Sequence, residues 1–269
     1  MNIGLIGGGA MGEAIVSAVI KAGVAAPAQI KVFDVSSERA RYLAASYNVG
    51  ITEKPEDAVE DVDFAIMAVK PQDFLKASSA IAGKLKGATV ISIMAGVTIE
   101  QLSAALRSTS VVRSMPNTPA QIGEGMTAWT ATEGVGEDAR GGVQAILGAM
   151  GKEAYVPEER YLDMVTGLSG SGPAYVFLFI EALTDAGVHI GLSRDLAATM
   201  ALQTVLGSAK YAAETGKHPA ELRNQVTSPG GTTAEALRAF EQGSFRADVL
   251  AAVVAAYEKS KALGEGGKK

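Results

Sequence analysis

A short apolar run, Asn2-Ile3-Gly4-Leu5-Ile6, leads without a break into Gly7-Gly8-Gly9-Ala10-Met11-Gly12, and this junction limits the fold more than any other feature of the chain. The G-x-G-x-x-G spacing is complete. Gly7 suits the tight turn, Gly9 the close approach of a pyrophosphate, and Gly12 the packing of the following helix against the strand. Residues 13–22 keep a helical pattern, and Gln29-Ile30-Lys31-Val32-Phe33 returns as a second strand ending at Asp34. Asp34 stands about twenty residues beyond the glycines, where an acidic side chain meets the adenine ribose. A purely structural glycine turn is the alternative, and the strand, turn, helix and strand in sequence favour dinucleotide binding.

Further apolar, β-rich runs follow at Phe64 to Val69, Thr89 to Met94 and Ser110 to Met115, with helical patterns between most of them. Such alternation predicts parallel strands joined by right-handed crossovers, with helices on both faces of the sheet. Met126 to Thr130 and Glu153 to Val156 flank a helical stretch around Ala139 to Met150 and extend the sheet at its edge. After Pro157 strand signals almost vanish, and Ala, Leu, Met and Glu dominate through Lys261. The expectation is an α/β protein with a Rossmann-type, mostly parallel sheet over residues 1–157 and an all-helical substrate-binding and dimerisation domain over residues 158–269. Ser171-Gly172-Pro173 reads as a helix start, and Tyr175 to Ile180 is apolar nearly all the way round. A helix of that kind is buried in a core or against a second subunit, which predicts an oligomer.

At 269 residues the chain exceeds the usual single-domain size, and 48% hydrophobic residues supply a substantial core. Disorder is expected only in the Gly-Lys tail after Leu263. A net charge of −5 without a Lys/Arg stripe argues against nucleic acid or acidic membranes as partners. With no cysteine, disulfides, thiolate nucleophiles and Cys-ligated zinc are excluded. This suits a reducing compartment, and since no basic segment precedes an apolar one, a cytoplasmic protein without a secretory signal is expected. The most apolar run, Ala174 to Ala186, carries Glu181 and Asp185 and is too short to span a bilayer. His189 and His218 offer no metal spacing, so no metal site is expected.

Near the other end, Ser228-Pro229-Gly230-Gly231-Thr232-Thr233 precedes the helix-prone Ala234 to Phe240. Free N–H groups at a helix start attract carboxylate or phosphate, and glycines let a ligand reach the main chain. Thr232 with Glu235 also fits a plain capping box, which leaves Ser228, the Pro-Gly-Gly bend and Thr233 without a use. Both readings stand at this level. Three further segments are candidates for the ligand crevice, each with an ordinary structural alternative. Ala68-Val69-Lys70-Pro71 and Ser92-Ile93-Met94-Ala95-Gly96-Val97 close two strands at their carboxyl ends, with a solvated strand-end lysine as the alternative for the first and a strand-to-helix turn for the second. Met115-Pro116-Asn117-Thr118-Pro119 brackets a polar pair with prolines that fix the loop's shape. Ser169-Gly170-Ser171-Gly172-Pro173 is a second glycine and hydroxyl loop entering a helix, for which a helix cap with a flexible hinge is the stronger reading.

Taken together, the Gly7 to Gly12 turn, Ala68 to Pro71, Met115 to Pro119, Leu168-Ser169-Gly170-Ser171-Gly172-Pro173-Ala174-Tyr175 and Val226-Thr227-Ser228-Pro229-Gly230-Gly231-Thr232-Thr233 resemble pyrroline-5-carboxylate reductase, almost end to end. The resemblance implies NADPH- or NADH-dependent reduction of L-1-pyrroline-5-carboxylate to L-proline, the last step of proline biosynthesis. It implies a homodimer with intertwined C-terminal helices, commonly assembled into a decamer. The substrate carboxylate is then expected on Ser228, Gly230, Gly231 and Thr232, with Thr233 at the ring nitrogen and Glu159 and Thr166 near the substrate. Cofactor contacts are expected at Ile6, Gly7, Gly8, Gly9, Ala10, Met11, Asp34, Ser36, Ala68, Val69, Lys70, Pro71, Met94 and Ala95. Pro55-Glu56 stands where the family often has an asparagine beside the adenosine ribose.

The chemistry needs no covalent catalyst. Hydride passes from the nicotinamide to the imine carbon, and positioning and electrostatics carry most of the work, with Thr233 orienting the ring nitrogen or relaying its proton. Asp34 favours NADH by repelling a 2′-phosphate, whereas Ser36, Ser37 and Arg39 can accommodate one, so both cofactors are expected to work. Competing readings are a hydroxyacid or ketopantoate-type reductase, for which the Pro-Gly-Gly-Thr-Thr run has no evident use, and a non-catalytic dinucleotide sensor.

Overall fold

The computed structural model describes residues 1–266. Its strands are β1 Ile3–Ile6, β2 Ile30–Phe33, β3 Gly50–Ile51, β4 Phe64–Met67, β5 Thr89–Ser92, β6 Val111–Met115, β7 Gly125–Ala131 and β8 Gly151–Tyr155. Between and beside them lie helices α1 Ala10–Lys21, α2 Ser37–Tyr47, α3 Pro55–Ala58, α4 Phe74–Ile81, α5 Ile99–Leu106, α6 Glu137–Gly148 and α7 Arg160–Val165. The rest is helical: α8 Gly172–His189, α9 Arg194–Thr215, α10 Pro219–Gln225, α11 Thr232–Gln242 and α12 Phe245–Gly266. The chain divides into two compact units, one of Met1–Ser171 with the segment from Ala256 onward, the other of Gly172–Ala255.

In the first unit the strands form one sheet in the order β3-β2-β1-β4-β5-β6-β7-β8. All neighbours are parallel except β6 and β7, whose register sets Ser114 opposite Trp129. The sheet is mostly parallel, as expected. β3 is a two-residue strand that the sequence does not announce, because Gly50-Ile51 is too short to show alternation. Each element in β1, β4 and β5 is buried throughout, the pattern of strands covered on both faces. Side chains alternate between those faces with the period of two. Ile3, Leu5, Phe64, Ile66, Ile91 and Val112 join a cluster with Ile15 and Val19 of α1 and Val143 and Ile146 of α6. Ile6, Ala65, Met67, Val90 and Val111 join the other cluster, with Phe74 and Ile81 of α4 and Leu102 and Leu106 of α5.

The change of character at Pro157 does not coincide with the edge of this unit. Residues 158–171 stay with the sheet because Arg113, only 5% exposed in the middle of β6, pairs with Glu159 at 2.8 Å and Asp163 at 3.6 Å. The end of α12 belongs to the same unit: Ser260 donates to Asp163 at 2.8 Å. The tail expected to be disordered after Leu263 is instead helical to Gly266, and residues 267–269 lie outside the described ones.

The second unit is helical. α8 and α9 pack closely, since a Cβ at Gly187 would lie 2.8 Å from that of Ala197. Phe179, Phe240 and Phe245 gather α8, α11 and the start of α12, with ring centroids 6.1 Å and 5.2 Å apart. Yet among its described residues only Thr184, Ala197 and Ala201 are fully buried, whereas Val176, Phe177 and Leu178 are 45%, 62% and 66% exposed. Val176, Phe177 and Leu178, in the stretch that the sequence expects to be covered, therefore find no cover within their own unit. Among the described residues, no helix is long and apolar enough to cross a membrane.

Candidate active site

The parallel strands β1, β2, β4 and β5 end on one edge of the sheet. The order β3-β2-β1-β4 reverses direction between β1 and β4, the place where open α/β sheets bind nucleotides. Ile6, Gly7, Gly8, Gly9, Ala10, Met11, Asp34, Ala68, Val69 and Lys70 all sit on this edge, as do Ile93, Met94 and Ala95 after β5. Gly7 has φ +103°, and a Cβ there would lie 2.6 Å from the Ala68 carbonyl oxygen. The turn is fixed further by Gly7 N–H donating to Phe33 at 2.8 Å. A Cβ at Gly12 would come within 2.2 Å of the Gly7 carbonyl oxygen, so α1 rests directly on the turn. Gly9, the N-cap of α1, is the opposite case: a Cβ there would meet nothing within 4 Å, and no side chain caps the helix. The turn is thus closed on its inner side and open on its outer side, which fits a pyrophosphate over the first N–H groups of α1.

Asp34 closes one end of this edge. Its Oδ2 accepts from Gly8 N–H at 2.7 Å and its Oδ1 from Ser36 N–H at 2.8 Å. Ser36 is the N-cap of α2, its hydroxyl accepting from Arg39 N–H at 3.3 Å. The Arg39 guanidinium does not project toward solvent as an unpaired cation. Its Nε donates to the Gly8 carbonyl at 2.5 Å, it pairs with Glu13 on α1, and it lies 4.8 Å from the Tyr42 ring centroid. Tyr42 and Tyr47 donate to the other Glu13 oxygen at 3.0 Å and 2.8 Å. Burial alone would raise the Glu13 carboxyl, but the hydrogen bonds from Arg39, Tyr47 and Tyr42 outweigh it and hold the group below its ordinary range. Burial and the Glu13 carboxylate push Tyr47 up. Beside this cluster lies a cavity of about 360 Å³ lined by Ala10, Glu13, Ala14, Ser17, Arg39, Tyr47 and Gln121.

Of the other cofactor candidates, Lys70 and Pro71 are exposed, while Met94 is 2% exposed and turns its side chain into the core. Asn117 is occupied structurally: its Oδ1 accepts from Met126 N–H at 2.9 Å and its Nδ2 donates to Ser169 O at 3.1 Å. The segment Ser169 to Pro173 enters a helix at Gly172 as expected, but the stretch before it is helical as well rather than a loop or hinge. A single π-helical turn, Thr166–Gly170, runs from α7 to α8 and is closed by Ser171 N–H donating to Thr166 O at 2.8 Å. The hydroxyls of Thr166 and Ser169 bond back to Leu162 and Val165 at 2.7 Å and 3.3 Å. Such bonds let Ser and Thr continue a helix, and π turns recur at functional positions. Glu159 is held by Arg113 and by Ile99 N–H, each at 2.8 Å, at the start of α5. Arg113 was missed by sequence reading. Its signal is a lone charge inside the apolar strand Val111-Val112-Arg113-Ser114-Met115.

Ser228, Gly230, Gly231, Thr232 and Thr233 lie together in the second unit at the start of α11. The capping box, the alternative reading for Thr232 and Glu235, does not form. Gly230 turns with φ +66° and Gly231 follows in extended backbone as the N-cap, so the helix begins one residue early and Thr232 becomes its first member. Glu235 pairs with Arg238 at 3.0 Å instead of reaching back. Gly231 N–H donates to Ser228 O at 3.1 Å, and a Cβ at Gly231 would lie 2.3 Å from the Ser228 hydroxyl. The loop therefore stacks one hydroxyl against a helix start that no side chain caps, which is the geometry of an anion site.

Comparison with known proteins places both units. Residues 159–263 match the family described as pyrroline-5-carboxylate reductase dimerisation, and residues 2–96 that described as NADP oxidoreductase, coenzyme F420-dependent. The pyrroline-5-carboxylate reductase of Synechocystis is 42% identical over 265 residues, covering 98% of this chain and 99% of its own. That of Escherichia coli is 42% identical over 266 residues, covering 98% of each chain. Among solved structures, a pyrroline-5-carboxylate reductase from Coxiella burnetii superposes with a TM-score of 0.92 at 35% identity, covering 97% of this chain and 98% of its own. The Plasmodium falciparum pyrroline carboxylate reductase with NADP bound superposes with a TM-score of 0.89 at 33% identity, covering 98% of each. A sheet edge built for a dinucleotide, a glycine-hydroxyl helix start and relatives matched over nearly their full length agree, and the chain belongs to the pyrroline-5-carboxylate reductase family.

Proposed function

We propose that the protein reduces L-1-pyrroline-5-carboxylate to L-proline with NADH or NADPH, acting as a homodimer. The observation that carries the substrate half of this reading is the uncapped start of α11 behind Gly230 and Gly231, with the Ser228 hydroxyl against it. Ser228 and the main-chain N–H groups of Thr232 and Thr233 receive the carboxylate, using the partial positive charge of the helix start. The Thr233 hydroxyl orients the ring nitrogen and holds its proton, so that the ring presents an iminium carbon. When bound, the nicotinamide supplies the hydride that adds to that carbon, and the nitrogen keeps its proton as the secondary amine of proline. The Gly7 to Gly12 turn and Asp34 hold the dinucleotide's pyrophosphate and adenine ribose. No residue in this scheme forms a covalent bond to the substrate, and binding energy is used for orientation.

The cofactor-binding segment is residues 1–157 and the substrate-binding and dimerisation segment residues 158–269. The exposed faces of α8 and α9 are covered by a second copy, and dimers assemble further into a decamer in the cytoplasm. Sedimentation of the intact protein measures the assembly directly, and a monomer at micromolar concentration would contradict it. The reaction is tested by following NADH or NADPH absorbance with the imine as acceptor and identifying proline as product. Thr233→Ala is expected to lower kcat/KM roughly tenfold, the worth of one lost hydrogen bond of about 1.5 kcal/mol, with ADP binding unchanged. Cofactor that binds but is not oxidised would instead indicate a sensor.

A further inference from the structure

Arg39 and Asp34 grip the same peptide residue from opposite sides. Asp34 Oδ2 accepts from Gly8 N–H at 2.7 Å, while Arg39 Nε donates to the Gly8 carbonyl at 2.5 Å. Both side chains therefore lie at the end of β2, where an acidic group binds the ribose hydroxyls of one cofactor and an arginine accommodates the 2′-phosphate of the other. Sequence reading leaves these two tendencies in balance. The structure adds a third party, because Glu13, projecting from the first turn of α1, pairs with the Arg39 guanidinium. Glu13 is itself held in place by the Tyr42 and Tyr47 hydroxyls at 3.0 Å and 2.8 Å.

We infer that Glu13 sets the cofactor preference of this enzyme by competing with the 2′-phosphate for Arg39, biasing the site toward NADH. This rests on the nucleotide reading of the β1 to β2 edge and deepens it. A dianionic 2′-phosphate near Asp34 needs a neutralising cation, and an arginine is the usual partner because its planar fork gives two charge-assisted bonds. Its Nε and Nη2 are taken by Gly8 and Glu13, so Arg39 can present that two-bond fork only by leaving Glu13. Doing so would strand a carboxylate whose remaining partners are two phenols, next to an incoming group of the same sign. The Ser36 and Ser37 hydroxyls offer no substitute charge, and Ser36 is already engaged as the N-cap of α2. The Glu13 side chain bonds Arg39, Tyr42 and Tyr47, while its main-chain N–H donates to Gly9 O at 2.9 Å in a helix bond that a side-chain change leaves in place. Its effect is thus specific to the 2′ position, where a general role in stability would weaken both cofactors alike.

The test uses ADP and 2′,5′-ADP as probes, with affinities measured by calorimetry on the full chain. Glu13→Gln keeps the shape and removes the charge. It is expected to tighten 2′,5′-ADP roughly tenfold while moving ADP less than about twofold, and to raise the NADPH to NADH ratio of kcat/KM by a similar factor. The double variant Glu13→Gln with Arg39→Gln is expected to lose that gain. An unchanged ratio in folded Glu13→Gln, or a gain that survives removal of Arg39, overturns the inference. Arg39→Gln alone supplies a second check that does not depend on Glu13→Gln folding. With Arg39 held by Glu13, it should leave the ratio of 2′,5′-ADP to ADP affinity within about twofold of the unmodified protein. A tenfold fall would show that Arg39 already serves the phosphate and would overturn the proposal. Because the probes require no imine reduction, a chain that binds them as expected but fails to make proline would refute the proposed reaction and leave this inference standing.

Discussion

The two glycine-rich helix starts of this protein hold their main chain in opposite ways. At Gly7 to Gly12 the turn is fixed from inside: Gly7 lies in positive φ against the Ala68 carbonyl, Gly12 touches the Gly7 carbonyl, and Asp34 and Arg39 grip Gly8 from both sides. At Ser228 to Thr233 the loop is exposed or half-exposed, with one turn bond from Gly231 to Ser228 and no side-chain cap on α11. The same contrast runs through the units that carry them. One buries apolar residues on both faces of a sheet, and the other leaves Phe177, Leu178, Leu202 and Leu206 at its surface. A site on the first is organised by its own core. A site on the second depends on what covers those helices.

The contrast can be broken most severely at Gly7. Gly7→Val combines a strained backbone with a clash against Ala68 and is expected to cost about 3 kcal/mol or more, read as a lowered urea midpoint together with loss of ADP binding. Next comes the second unit. Leu178→Asp places a charge on the exposed face of α8 and should convert the oligomer to monomer in sedimentation, removing the concentration dependence of Tm that an obligate dimer shows. A still-dimeric variant would show that another face forms the interface. Arg113→Met tests whether the first unit really owns residues 158–171. It leaves Glu159 and Asp163 without their cation and should cost about 2–4 kcal/mol, discounted for their partial exposure, with most of the loss recovered by adding Glu159→Gln and Asp163→Asn. The smallest effect is the pH dependence of the Glu13 cluster. Because folding lowers this carboxyl, its stabilisation is fully present above its ordinary value of 4.5 and is lost as pH falls through the lowered one. Urea midpoints of Glu13→Gln should therefore decline less on acidification than those of the unmodified protein.

Local signals made the first unit legible. The strand before Gly7 and the apolar runs at Phe64 and Thr89 each state their structure within a dozen residues or fewer, and the spacing to Asp34 adds a second strand a short helix away. The edge strand β3, with only Gly50 and Ile51, carries too little pattern to be seen. What the sequence hides is long-range pairing. Arg39 reads as a free phosphate ligand until Glu13, 26 residues earlier, is brought beside it. Arg113 reads as an anomaly in a strand until Glu159, 46 residues later, explains it. At Ser228 to Thr233 the glycine turn before a helix is legible and the exact helix start is not. Thr232 has the right neighbours for a cap, but a left-handed Gly230 followed by extended Gly231 moved the helix start forward. The passage from Thr166 to Gly172 reads as a glycine-serine loop because composition cannot reveal that the hydroxyls of Thr166 and Ser169 bond back along a helix.

α12 starts among the residues of one unit and ends among those of the other, where Ser260 bonds to Asp163 and Leu263 lies against Gly96. Translation order and assembly order therefore differ. Asp163 leaves the ribosome 97 residues before its partner, a wait of roughly 5 to 20 seconds at ordinary elongation speeds. The nucleotide-binding unit thus receives the end of α12 only after all of the second unit has been synthesised.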